Sequence, residues 1–146
     1  MKTKVIGYWA TTTIVALELL AGGVTDLVHG RTVLFVGPPV VEVIAHLGYP
    51  VYILTILGVW KLPGGVALLV PRLPRLKEWA YAGAFFVYSG AAASGVVRGR
   101  DDPGTLIWPP LIFAVLTVAS WALRPQSRTL GVLFPAKKLR WWSNRR

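Results

Sequence analysis

Four long stretches with almost no charge occupy most of this 146-residue chain, and they constrain its fold more than anything else in it. Residues 5–25 carry only Glu18 and residues 47–71 only Lys61, while 79–97 and 103–123 carry no charged side chain. A helix needs about 20 residues to cross the hydrocarbon of a bilayer, and each stretch reaches or approaches that length. With 54% hydrophobic residues and a mean hydropathy of +0.55, a soluble domain of this size has too little interior to hide four such helices. The expected fold is all-α: a polytopic membrane protein built as an antiparallel four-transmembrane-helix bundle. Its transmembrane domain is expected over 1–128, and a basic, aromatic tail over 129–146 is expected to be cytoplasmic or interfacial. Lys2 and Lys4 ahead of the first stretch, with Ala21-Gly22-Gly23 near its end, have the look of a signal peptide. The stretch is as long as a full span and three more follow, so it is expected to be retained.

The net charge of +10 is a matter of topology. With four spans, Lys2, Lys4, Arg72, Arg75, Lys77, Arg124, Arg128, Lys137, Lys138, Arg140, Arg145 and Arg146 fall on one side. The other side has Arg31, Arg98 and Arg100, with Asp26, Asp101 and Asp102 beside them. Cytoplasmic loops carry the Lys/Arg excess, which places both termini in the cytoplasm. Membrane lipids are the expected partner of the basic groups, and nucleic acid is not. There is no cysteine, so disulfides, thiolate catalysis and thiolate metal ligation are excluded. The two histidines and nearby carboxylates show no metal-ligand spacing, and no metal is expected.

The first helix is expected over about 5–26, with Thr11, Glu18, Gly22 and Thr25 on one face suited to a helix–helix interface. Residues 27–39 form an external loop in which 32–36 lie at the interface. The second helix is expected over about 42–70, with Pro50 either kinking it or marking where the crossing begins. Pro63 and Gly64-Gly65 break the hydrogen-bond ladder beside Lys61, so freed carbonyls there are candidate acceptors for its ammonium. Residues 71–78 read as a stiff inner turn. The third helix, about 78–97, is rich in small residues and is expected at the centre of the bundle. The fourth, about 105–123, has Trp108 and Trp121 as interface anchors. The tail mixes Trp141-Trp142 with cationic residues, as an interfacial segment or a positive-inside stop signal would.

Charges inside a membrane are costly and mark pairs or sites. Glu18, expected slightly outward of mid-membrane, Lys61, somewhat inward, and Glu78, at the inner rim, are the principal candidates. Lys61 could reach either carboxylate. An ion pair that fixes packing and a functional acid–base group both fit. His46, with Glu42 one turn away, is a second acid–base candidate near the outer face. The expected site therefore has Glu18, Lys61, Glu78 and His46 as catalytic groups and Tyr49, Trp60, Tyr81 and Tyr88 as ligand-binding groups. Asp26 reads as a solvated loop partner of Arg31 or Arg98.

His46-Leu47-Gly48-Tyr49-Pro50, Gly58-Val59-Trp60-Lys61-Leu62 and Pro71 through Gly83 resemble the signatures of the DoxX-like family of small bacterial four-helix membrane proteins. Tyr8-Trp9 and Thr12, followed by Glu18, Gly22 and Gly23, fit the same pattern. The resemblance covers about residues 5–123, and the string from Lys77 to Gly83 is its most specific part. The family takes its name from a membrane subunit of a thiosulfate–quinone oxidoreductase. The resemblance thus implies a role beside a membrane redox complex, with a quinone as candidate cofactor and an oxidoreductase subunit as candidate partner.

Three functions fit these features. One is acid–base conversion of a small lipophilic substrate, by isomerisation, hydration or ring opening, in a cavity lined by Glu18, Lys61, Glu78, His46 and Tyr88. In it Glu18 is the acid or base, and Lys61 holds an oxyanion or keeps Glu18 ionised. The second is a quinone-binding or accessory subunit. The third is a structural or transport-like protein without a reaction. Each is compatible with a homodimer.

Overall fold

The computed structural model describes residues 2–30, 38–98, 103–125 and 129. Within them lie α1 (Lys2–Leu27), α2 (Val40–His46), α3 (Tyr52–Leu69), α4 (Pro74–Arg98) and α5 (Pro103–Ala122). The chain is all-α and polytopic. Three of the described helices, Thr3–Leu27, Tyr52–Leu69 and Pro74–Arg98, are long and apolar enough to cross a membrane. The described apolar part of α5, Ile107–Ala122, is shorter than these. The tail beyond 129 and the loop stretch 32–36 lie outside the described residues.

Each helix stops for a local reason. At the end of α1, His29 takes a left-handed conformation (φ 52°). Its N–H reaches the carbonyl of Asp26, and the N–H of Gly30 reaches that of Thr25. These are the two bonds of a Schellman cap. The end of α2 repeats the device: Gly48 has φ +81°, its N–H bonds the carbonyl of Ala45, and the N–H of Tyr49 bonds that of Ile44. Pro50 follows, as proline commonly does after such a cap. The expected single helix over 42–70 is therefore two helices, and Pro50 marks the beginning of the crossing. The turn between α3 and α4 is shorter than 71–78, because Pro74 opens α4, where its missing N–H costs nothing.

The four long helices form an antiparallel ring in which α1 packs on α3 and α5, and α4 packs on α3 and α5. The short α2 rests on α3. All four contribute to one core: Val15, Ala16 and Leu19 from α1, Leu68 from α3, Tyr81, Ala84 and Tyr88 from α4, and Phe113 and Ala114 from α5. The tightest seam is between α1 and α3. A side chain at Gly58 would put its Cβ 2.7 Å from Leu27 Cγ and 2.8 Å from the Gly23 carbonyl. One at Gly65 would lie 2.8 Å from Leu20 Cγ and 3.2 Å from the Ala16 carbonyl. Two glycines of α4 do not play this part: a Cβ at Gly83 or Gly90 meets nothing within 4 Å, whereas Ala84, Ala92 and Gly95 of the same helix are buried. The α3 glycines meet α1 closely at Gly58 and Gly65.

Polar ties close the ring at one end. Lys77 is fully buried and donates to the carbonyls of Ala67 (2.8 Å) and Leu68. A cation on the last carbonyls of α3 satisfies groups that no helical N–H can reach, and it opposes the negative end of the helix dipole. Thr12 Oγ1 and Tyr81 Oη meet Ser120 Oγ at 2.6 and 2.8 Å, joining α1, α4 and α5 in the core.

The unequal packing predicts a contrast. Gly58→Leu must push against a backbone carbonyl and is expected to destabilise the bundle by about 1–3 kcal/mol. Gly83→Ala, in open space within α4, is expected to leave stability unchanged or to raise it by up to about 1 kcal/mol. Thermal unfolding of the two variants in the same detergent measures the difference.

Candidate functional site

Lys61 lies midway along α3, with roughly 12 Å of helix on either side, and it must find a counter-charge or leave the hydrocarbon. Its Cβ lies against Gly23 of α1, which would clash at 3.1 Å if it carried a side chain. From there the ammonium reaches Asp26 Oδ2 at 2.9 Å. The side chains are only 12% and 7% exposed, so the charges are out of water. At that distance the ammonium and the carboxylate form a buried ion pair.

The partner therefore differs from both expected ones. Asp26 is not a solvated loop residue: it is buried in the last turn of α1. Lys61 is level with Gly22 and Gly23, one turn nearer the C-terminus of α1 than Glu18, which reverses the expected order of the two along the bundle axis. Starting α3 at Tyr52 sets this register. The turn at Pro63 does not receive the ammonium, and α3 runs through that proline.

Glu18 belongs to the same cluster. A Cβ on Gly22 would be 2.8 Å from Glu18 Oε1 and 3.3 Å from Lys61 Nζ, so the two groups face each other across that glycine. The other carboxylate oxygen, Oε2, accepts from Tyr88 Oη of α4. Tyr88 is buried and packs its ring 5.4 Å from Phe113. Asp26, Lys61, Glu18 and Tyr88 thus run across the bundle from α1 and α3 to α4.

The remaining expected residues lie elsewhere. Glu78 is at the end of the bundle where α3 stops, roughly 9 Å along the axis from Lys61. It accepts from Arg124 Nη2 (2.8 Å) and from Trp121 Nε1 (3.0 Å). Arg124 lies over the rings of Tyr81 and Trp121, at 5.0 and 5.5 Å. Tyr81 belongs to the Thr12–Ser120 tie. His46 and Glu42 are exposed on α2, and no hydrogen bond or ion pair among the described residues joins them to Glu18 or Lys61. Tyr49 donates to or accepts from Ser94 Oγ at 2.8 Å, and Arg98 lies against Gly48, so this segment is strapped to α4. No group of three or more metal-ligating side chains occurs among the described residues.

Beside the cluster, α3 and α4 part to leave a cleft of about 460 Å³. Of the expected site residues, Lys61 and Trp60 line it. The rest of its wall is apolar, including Leu19, Ala80, Phe86 and Trp79. Gly64 and Gly83 are part of its wall, and a Cβ at either meets nothing within 4 Å. Trp60, Trp79 and Phe86 form its lip and are 73%, 80% and 70% exposed, as side chains facing lipid are. Its size falls within the usual range of small-molecule sites.

Asp26 and Lys77 are the residues that sequence reasoning misassigns; Arg124 follows the last helix as expected, but its pairing with Glu78 is not identified. Asp26 does carry a signal: Glu18, Gly22 and Asp26 recur at intervals of four, which continues the polar stripe of α1 by one more turn.

Fold and site together define a class: an all-α, polytopic membrane protein with a charged cluster inside the bundle and a cleft open to the side. Within that class the chain belongs to the DoxX-like family, whose model matches residues 10–120. No curated protein and no solved structure matches it.

If Asp26 is the counter-charge that Lys61 requires, Asp26→Asn removes the carboxylate in contact with the ammonium, leaves only Glu18 near it, and is expected to cost up to about 3–5 kcal/mol. Asp26→Asn with Lys61→Met removes both members of the pair and is expected to restore part of that loss. Unfolding of the two variants in detergent is the measurement; equal destabilisation of single and double variants would contradict the pairing.

Proposed function

We propose that the protein binds a small lipophilic molecule from the bilayer in the α3–α4 cleft and performs acid–base chemistry on it. The observation that carries this reading is the position of Lys61, which both lines an otherwise apolar cleft and belongs to the buried cluster with Asp26 and Glu18. Such a wall binds a hydrocarbon body, and a single cation fixes the one polar group of the ligand. Two carboxylates against one ammonium leave the cluster one proton short of neutrality. A proton can therefore be taken up or given back without creating a second uncompensated charge. Glu18 is the acid or base, held by Tyr88, and Lys61 stabilises an oxygen on which negative charge develops. Isomerisation, hydration and opening of a strained ring are the reactions that need no further cofactor.

In this reading α5 is the fourth crossing. Both termini face the cytoplasm of a bacterial inner membrane, as the ends carrying Lys4, Arg72, Arg75 and Arg124 require. The quinone-binding alternative uses the same cleft, where Lys61 would meet a quinone carbonyl and Trp60 and Trp79 would flank the ring. A bound quinone would supply two-electron redox chemistry, with an oxidoreductase subunit as the electron partner.

Mass spectrometry of small molecules released from purified protein tests the reading, comparing wild type with Lys61→Ala and Glu18→Gln. A lipophilic species present in wild type is expected to fall at least severalfold in Lys61→Ala and to persist, unconverted, in Glu18→Gln. The same species in equal amounts in all three proteins would show that the cluster has no ligand.

A further inference from the structure

The shape of the cleft specifies more than lipophilicity. The cleft runs from Ile56 to Ala67 along α3 and from Leu76 to Val87 along α4. Each stretch measures about 16 Å at the rise of an α-helix. The two helices are antiparallel, so Ile56 and Val87 share the outer end, and Ala67 and Leu76 share the inner end. The Lys77–Ala67 hydrogen bond fixes that register. Lys61 is midway between Ile56 and Ala67. The slot is therefore apolar at both ends and has its one charged side chain near its middle.

Given ligand binding in this cleft, on which the assignment rests, we infer that the ligand is a chain-like lipid whose polar or reacting group lies within the chain, with hydrocarbon on both sides of it. A carbonyl, an epoxide or another oxygen acceptor at mid-chain would meet Lys61 while the two arms fill the ends of the slot. A lipid with its only polar group at one terminus fits less well. Placing that group at Lys61 leaves one arm of the slot empty, and filling the slot takes the group away from Lys61. The long axis of the slot follows the helices, so it is parallel to the chains of the surrounding bilayer. Its lip of Trp60, Trp79 and Phe86 is open to them, and a chain can enter sideways without leaving the hydrocarbon.

The test uses purified protein in nanodiscs and a fatty-chain photoprobe bearing a diazirine, with crosslinks mapped by mass spectrometry. The competitors are a long-chain ketone with its carbonyl at mid-chain, the isomer with its carbonyl next to the chain end, and the parent alkane. The mid-chain ketone is expected to displace the probe from the α3–α4 slot at about tenfold lower concentration than the isomer, the advantage of one hydrogen bond from a charged donor. Lys61→Met with Asp26→Asn, which removes both members of the ion pair together, is expected to abolish that difference. Gly83→Leu extends into open space and is expected to lose slot labelling while labelling of the exposed α5 residues Val115 and Val118 persists. If both ketones displace the probe equally from the wild type, the mid-chain inference is wrong and the binding reading stands. If the probe never labels the slot, if no competitor displaces it, or if Gly83→Leu labels the slot as well as wild type does, binding in the cleft is wrong as well.

Discussion

One ammonium group placed among apolar side chains governs much of this bundle. Lys61 cannot be left alone in hydrocarbon, and no group on its own helix serves it. The partner is on α1, and a lysine stem spans the gap only if α1 and α3 are close. Gly23 and Gly58 allow that approach, since a Cβ on either would run into the opposite helix. Gly65 extends the seam inward by two turns. Gly22 then leaves the space in which Glu18 faces the same ammonium. Charge, glycine pattern and helix spacing are thus one requirement met in three ways.

The opposite side of α3 is packed on other terms. Against α4 the glycines meet nothing, and a cleft replaces the close seam. The ring is nevertheless held shut at the end where α3 stops, where Lys77 grips the last carbonyls of α3 and Glu78 engages Trp121 in the last turn of α5 and Arg124 just after it. Thr12, Ser120 and Tyr81 add a polar tie through the core. A bundle tied at that end and along the α1–α3 seam can tolerate an open side between α3 and α4. Without these ties a gap of this size would be expected to collapse, because interiors favour close packing.

Much of this is legible in the sequence, for identifiable reasons. Length and hydropathy dictate the helices of α1, α3 and α4. The stripe through Thr11, Glu18 and Gly22 dictates the face of α1 that turns inward. Glu18 and Lys61 stand out because charge is rare in such runs, and both belong to the cluster. The errors come from helix ends and from register. Asp26 falls outside the bundle if α1 is ended too early, yet the cap that stops the helix forms at His29 and Gly30. Merging α2 with α3 moves Lys61 inward and away from Asp26. Lys77 reads as a loop charge, although Pro74 has already begun a helix on which its side chain turns back toward α3. Pairing between helices depends on register to within one turn, and hydropathy does not resolve that.

The side on which a site such as this opens has chemical consequences. The cleft opens between α3 and α4 past exposed Trp60, Trp79 and Phe86, whereas the cluster ends at buried Asp26, near the turn in which His29 is exposed. A water-filled cavity would hydrate Lys61 and weaken its pull on any oxygen, since charges interact weakly in a high dielectric. On the proposed function, entry from the lipid side would keep water out while the ammonium stays beside Asp26, so its interaction with a ligand oxygen would be less screened. The same contact suits Lys61 to stabilising an oxygen on a ligand. Proton transfer would then fall to Glu18, which accepts a hydrogen bond from Tyr88 and lies beside Gly22, as the Lys61 ammonium does. In that reading a cation, a positioned carboxylate and an apolar slot divide the work among three parts of the bundle, and the α1–α3 seam sets the distance between the first two.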